Sequence, residues 1–416
     1  MSHPLLSRRA RATGPVSAAA AVSGSWATTV GSLPVPGFFA QQNDTLATLA
    51  DGSILAAGGE DGRRNPLALS ARFTPADGNW TPTAGQLTTA RRLHTVTRLA
   101  DGRVLVAGGV PGPVATPARG TNSAEIFTPG NGGSWAPVAS MNEPRFSHSA
   151  TLLDGGKVLV AGGCSTRSAD TNRAVRSAEI YDPATNTWTT LRNPMTDIRF
   201  GHAAVVLPNK KVLVVGGLIT IGRGQYAALG YCEIFDPKTG PDTATWTPTA
   251  GLATPRKGHR ITLLNDGSVL ATGGDLPTFE NRWTVQPYSL SSCERFTLDP
   301  ATGTGRWVAE AEMPWGLSDH RAVLLPQSGK VLVVGGTDSG VFDAGYRDVL
   351  LFDPGAAPGA GKWTVTGSMT VGRWGSAAIA LPGDKVLVAG GVSRSGAAAP
   401  VIGENLLTAT AEVYTP

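Results

Sequence analysis

Five histidines, His94, His148, His202, His259 and His320, recur in similar local settings, and the first four close an Arg-x-x-His unit begun by Arg91, Arg145, Arg199 and Arg256. Neutral imidazoles brought to one point are ligands for copper, iron or zinc, so the pattern predicts a mononuclear transition metal held by these side chains, and otherwise no cofactor. Asp319 stands next to His320, and Asp44 takes the histidine position of the first unit. Carboxylate beside imidazole is a donor set for acid–base work, which makes His320, Asp319 and Asp44 the candidate catalytic residues. Residues that break the pattern, namely Trp374, Ser376, Asn43, Trp283 and Arg321, are the candidate ligand contacts, the indoles serving as stacking surfaces for a sugar or another flat molecule.

For these residues to meet, the chain must repeat, and it does. Seven Gly-Gly pairs end seven apolar runs, and their starts at 58, 108, 162, 216, 273, 335 and 390 lie 50, 54, 54, 57, 62 and 55 residues apart. One repeat reads fully as Arg145-Phe-Ser-His148-Ser-Ala-Thr-Leu-Leu-Asp154-Gly-Gly-Lys-Val-Leu-Val-Ala-Gly-Gly163, then a variable loop, then Ser177-Ala-Glu-Ile-Tyr-Asp-Pro183, then Trp188. That is four short strands, a to d: two joined by an Asp-Gly type turn, a third carrying an aromatic ring, and a fourth carrying Trp. With 53 Gly, 30 Pro and 16% charged residues, the composition suits strands and tight turns, and no stretch has helical amphipathicity.

A repeat of about fifty residues with a double glycine, a strand c aromatic and a strand d Trp resembles the kelch family, over residues 24–416. The resemblance implies an all-β, seven-bladed kelch β-propeller with four-stranded blades. The last repeat stops at Glu412-Val-Tyr414-Thr-Pro416 without a strand d, whereas Gly24-Ser25-Trp26-Ala27 repeats Gly133-Ser134-Trp135-Ala136 with no strands a to c before it. The N-terminal strand is therefore expected to complete blade 7 and close the ring, leaving residues 1–23 as a disordered tail. In an antiparallel meander the d–a and b–c connections share one face, and the long b–c loops place the candidate site there, around the mouth of the central channel.

Arg-x-x-His need not mean ligand recognition. Strand c carries Glu125, Glu179, Glu233, Glu294 and Glu412 in the same five repeats that carry Arg91, Arg145, Arg199, Arg256 and Arg373. The exceptions coincide too, Gln41 with Arg72 in repeat 1 and Leu317 with Leu350 in repeat 6. Joint gain and loss is the mark of a buried ion pair, which is costly to leave half made. The histidines escape this rule, since His320 persists where both Arg and Glu are missing.

The run Arg145-x-x-His148-Ser with Leu-Leu-Asp and Gly-Gly is also similar to the motif around a copper-ligating His in the galactose oxidase and glyoxal oxidase family. That resemblance implies a tyrosine next to the histidine, but the residues there are Asn43, Leu93, Ser147, Gly201, Gly258, Asp319 and Gly375, so a radical-copper oxidase is disfavoured. The iron-binding loop of plant specifier proteins is not found, and the likeness to sialate mutarotases extends to no distinctive motif. Net charge of +4 without a basic run argues against nucleic acid, and no segment is apolar enough for a membrane span. Three cysteines, two of them where other repeats place Ala, are expected as free thiols. The chain is expected to be a cytoplasmic monomer, the alternative being export through a degenerate N-terminal signal in which Arg8, Arg9 and Arg11 precede a short Ala-rich run. The first functional expectation is a small-molecule enzyme at the channel mouth, with a small-molecule or glycan ligand. The alternatives are a non-catalytic module binding protein, peptide or glycan, and a scaffolding propeller.

Overall fold

The computed structural model describes residues 24–37, 46–113, 118–167, 172–222, 225–276, 289–338, 344–395, 399–400 and 404–416. Within them lie seven four-stranded antiparallel sheets, each in the order a-b-c-d. Blade 3 illustrates the unit, with strand a at Ser149–Leu152, b at Val158–Ala161, c at Ala178–Asp182 and d at Thr187–Thr190. Strand b is apolar at every position, Val-Leu-Val-Ala, and wholly buried, because both of its faces are covered by neighbouring blades. Strand d alternates, presenting buried Trp188 between exposed threonines at the rim.

The ring closes as the strand count requires. Ser25–Thr28 pairs antiparallel with Ala411–Thr415, setting Trp26 opposite Tyr414. The strands a neighbour one another in succession around the axis, and that of blade 7 also meets that of blade 1. Seven hydrophobic clusters occupy the seven interfaces between adjacent blades; the one between blades 7 and 1 joins Leu46, Ile54 and Phe73 to Ala377, Leu387 and Ala411. Each strand d Trp packs on its strand c aromatic with ring centroids 4.7–5.4 Å apart, from Trp26–Tyr414 to Phe352–Trp363. The three cysteines are free and buried.

Strand register corrects one sequence-based alignment. Ala56 pairs with Ala71, as Val106 does with Glu125, so Ala71 and not Arg72 holds the glutamate position of blade 1. Arg72 lies on the other face and binds Asp51 and Ser53 at the a–b turn, as Arg295 binds Asp266 and Ser268 in blade 5.

The closing strand is joined to its neighbours by the Trp26 ring against Tyr414 and by Trp26 Nε1 donating to the Gly367 carbonyl at 2.7 Å. Trp26→Ala is expected to cost about 2 kcal/mol, less than a fully buried Trp because one side of the ring meets solvent. Chemical denaturation measures this directly, and an unchanged midpoint would show that the strand does not hold the ring shut.

Candidate functional site

The arginines of the repeat are consumed by the scaffold. Arg91, Arg145, Arg199, Arg256 and Arg373 are fully buried and reach Glu125, Glu179, Glu233, Glu294 and Glu412 at 2.7, 2.8, 3.1, 2.8 and 2.6 Å. In blade 3, Arg145 Nη1 also donates to the carbonyls of Gly162 and Ser177 at 2.8 and 3.1 Å, while Glu179 accepts the N–H groups of Asn142 and Glu143 at 2.7 and 3.1 Å. One pair thus fixes the d–a loop, the end of strand b and the start of strand c. Desolvation pulls the Arg91 guanidinium below its usual value. Burial alone would raise the Glu125 carboxyl, but bonds from Thr88 and Arg91 hold it below the ordinary range. In blade 6, Leu317 and Leu350 replace both partners and join the apolar core.

The histidines do not converge. Each sits at the seam with the preceding blade: His94 Nε2 bonds the Ala57 carbonyl at 3.1 Å, His148 bonds Thr95 at 3.1 Å, His202 bonds Ser149 at 2.9 Å and His320 bonds Thr272 at 2.8 Å. His259 occupies the equivalent place beside the Val215 backbone of the preceding blade. The double glycine exists to admit them. A Cβ on Gly162 (φ 62°) would lie 2.9 Å from His202 Cε1 of the next blade, and one on Gly163 (φ 98°) would lie 2.8 Å from His148 Cβ of its own. All five rings are fully buried. Desolvation, reinforced by the nearby arginine, lowers His94 and His259 to about 3, and holds His148, His202 and His320 well below their usual value. Among the described residues no three His, Cys, Asp or Glu side chains come together to hold a metal ion. The expected metal set His94, His148, His202, His259 and His320 thus lies along a series of inter-blade joints, each ring held at its own seam.

What does face the mouth is the residue before each histidine. Leu93, Ser147, Asp319, Gly201, Gly258 and Gly375 all have φ between 51° and 64°. They form a collar in which the N–H of one blade meets the carbonyl of the last: Ser147 to Leu93 at 2.9 Å, Gly201 to Ser147 at 2.8 Å, Asp319 to Gly258 at 3.0 Å and Gly375 to Asp319 at 3.0 Å. Asp319 is the charged member of this set, in a left-handed backbone that strains a residue with a side chain. Desolvation raises its carboxyl above the usual range, opposed by Lys257, Arg260 and Arg321 and helped by Asp275. Lys257 bonds Asp275 at 2.7 Å, and Ser318 donates to the same carboxylate at 2.8 Å.

Below the collar lies a channel of about 520 Å³ lined by strand a residues of all seven blades; its charged lining is Arg98, Arg260 and Arg321, with no carboxylate among the described residues that line it. Arg260 and Arg321 hold equivalent positions just after the histidine, where other blades place Thr95, Ser149, Ala203 and Ala377. Each is nearly buried, with Nε donating to the next blade, to the carbonyl of His320 at 2.7 Å and to that of Ser376. Arg321 was thus foreseeable as a deviation from the repeat. Arg260 was missed, although aligning the residue after each histidine would have found it. Ser376 replaces the histidine of blade 7 and is buried, and Trp374 is half-buried and bridges to Val392. Trp315 stacks on Tyr346 at 6.0 Å, a packing role. Asn43, Asp44 and Trp283 lie outside the described residues.

A family model described as the Kelch motif matches residues 145–195, the span of blade 3 from Arg145 to Met195. The chain is a kelch-repeat β-propeller. It is 26% identical over 273 residues to Adagio protein 3 of Arabidopsis thaliana, covering 62% of this chain and 40% of that protein, and 25% identical over 233 residues to Kelch-like protein 15 of Homo sapiens, covering 53% and 34%. The propeller thus spans about two-fifths or less of the curated relatives it matches. A fungal alcohol oxidase of the AA5 family solved in complex with copper matches with TM-score 0.70 at 20% identity, over 94% of this chain and 76% of that one. YjhT matches with TM-score 0.58 at 17% identity, over 80% and 99%. At these identities the structures share the fold. The copper of that neighbour finds no matching donors among the described residues of this kelch propeller, because the imidazoles are tied between blades, so no chemical step is drawn through a metal.

The buried imidazoles make stability depend on pH with a definite sign. Their folded values lie below the unfolded value near 6.5, so the unfolded chain binds protons that the folded chain refuses, and stability falls as pH drops from about 6.5 toward 3. Calorimetric melting across that window is expected to show a continuous fall of the melting temperature, and a flat profile would contradict the buried neutral imidazoles.

Proposed function

We propose that this kelch propeller binds a small anionic molecule in its central channel, entered through the collar on the d–a/b–c face. The observation that carries the reading is the pair Arg260 and Arg321, two nearly buried guanidinium groups on adjacent blades where other blades carry small side chains. Their Nε bonds to the neighbouring carbonyls fix the orientation of each guanidinium at the channel wall, and a planar guanidinium matches a carboxylate or phosphate in shape and charge. A channel of about 520 Å³ has the size of a small-molecule pocket, and its alanines at 150, 203, 204, 322 and 378 leave the room. Lys257 and Asp319 supply the entrance with polar groups. Binding is the core of the proposal. A second reading, acid–base chemistry on the bound molecule, is favoured by the raised Asp319 carboxyl in its strained backbone position.

The test is calorimetric titration with small carboxylates and phosphates against uncharged analogues of the same size. Saturable binding of at least one anion is expected, weakened tenfold or more by Arg260→Met with Arg321→Met and only partly restored by lysines at the two positions. Equal binding of the uncharged analogues, or affinity indifferent to both arginines, would refute the reading. Asp319→Asn separates binding from catalysis: it is expected to leave affinity within threefold and to abolish any turnover.

A further inference from the structure

Half of the chain's eight lysines gather on the face opposite the collar. Lys157 from blade 3 and Lys210, Lys211 and Lys238 from blade 4 line a groove of about 430 Å³ between the two blades, with Asp154 and Asp236 as its carboxylates. The floor is apolar, formed by Leu153, Ile180, Pro237 and Pro241. Three of the lysines are paired at exposed or half-exposed sites, Lys157 with Asp182 at 2.9 Å, Lys210 with Asp154 at 3.3 Å and Lys211 with Asp236 at 3.0 Å. Such pairs contribute little and exchange readily for a stronger anion. Lys238 adds its charge beside Asp236, whose carboxyl is held low against the cost of burial by hydrogen bonds and charge from Lys211 and Lys238.

Two of these lysines have left-handed backbones, and one of them stands where five blades place glycine. At the a–b turn the left-handed residue is Gly52, Gly102, Gly156, Gly267 and Gly329 in five blades and Asp384 in blade 7, at φ 57°, but Lys210 in blade 4, at φ 66°. The preceding Asp of the Asp-Gly turn is here Asn209, so one negative charge is removed and one positive charge added at a single turn. At the c–d turn of blade 4 Lys238, which aligns with Ala184 of blade 3, is left-handed as well, at φ 42°. Both strained lysines line the same groove. Backbone strain borne by two charged side chains around one cavity is a reason to look for a ligand there.

We propose that this groove is a second binding site, separate from the channel, for a small organic phosphate. Ammonium groups act as point charges without the fixed fork of arginine, so they select charge density, and a phosphomonoester carries close to two negative charges at neutral pH. The apolar floor takes the body of the molecule. Because the groove is open to solvent, affinity falls with salt.

The experiment titrates the whole chain with phenyl phosphate, comparing wild type, Lys210→Gly with Lys238→Gly, and Arg260→Met with Arg321→Met. The glycines relieve the left-handed strain, so the first double variant is expected to melt no lower than wild type while its affinity falls tenfold or more, which separates lost binding from lost folding. In the arginine variant the phenyl phosphate binding that the glycines remove is expected to persist at wild-type affinity, whatever share the channel itself contributes in wild type. Affinity unchanged in the glycine variant, no saturable binding, or loss confined to the arginine variant would each overturn the groove. A phosphotyrosine peptide that binds tenfold more tightly than phenyl phosphate would overturn the assignment to a small molecule.

Discussion

The buried arginine at the start of strand a is the joint on which this propeller turns. Its side chain ties the d–a loop, the glycine corner and strand c of its own blade through Glu. Its carbonyl accepts the second glycine N–H of the blade before, as Gly109 donates to Arg145 at 2.8 Å and Gly163 to Arg199 at 2.8 Å. A fully buried guanidinium is costly unless most of its donors are engaged and a carboxylate neutralises it, so the residues around these five must be placed together. Once that is done, the left-handed turn before the histidine, the collar and the imidazole joints follow. In blade 1 the carbonyl that Gly391 reaches is that of Gly37, so the closing seam uses the same backbone bond without the arginine.

Function in such a ring can only occupy positions that the joints leave over. Those positions are uneven around the mouth. Blades 2 to 4 present Val110, Phe146, Cys164, Phe200 and Leu218, an apolar sector that packs under its own loops. Blades 5 and 6 present Lys257, Asp275, Ser318 and Asp319, above Arg260 and Arg321 in the channel wall. The scaffold is close to sevenfold, and the two guanidinium groups of the proposed channel site come from one sector of it.

Much of the fold was legible because its determinants are local and repeated. Gly-Gly spacing marked the blades, the orphan Gly24-Ser25-Trp26 marked the closure, and the joint loss of Arg and Glu in blade 6 marked a buried pair before any distance was known. The site was less legible. Residue type cannot say whether an imidazole is open to a ligand or packed over a glycine, so the seams that hold the five histidines were not legible. Arg72 was misplaced because a slip of one residue in a strand moves every side chain to the other face. Asp319 and Arg321 stand out because deviation from a repeat is visible in the sequence, whereas the strain at Asp319 and the lysine groove depend on backbone angles and on neighbours from a second blade.

The central claim is that the recurring Arg and Glu are scaffold, and blade 6 has already replaced both with leucine. A double-mutant cycle in blade 3 tests it most directly: Arg145→Leu, Glu179→Leu and the two together, each measured by equilibrium denaturation. Each single change should cost about 3–5 kcal/mol by stranding a buried charge, and the double variant should recover most of that loss. Additive costs, or single variants as stable as wild type, would mean that the two side chains are not each other's partner and would contradict the account.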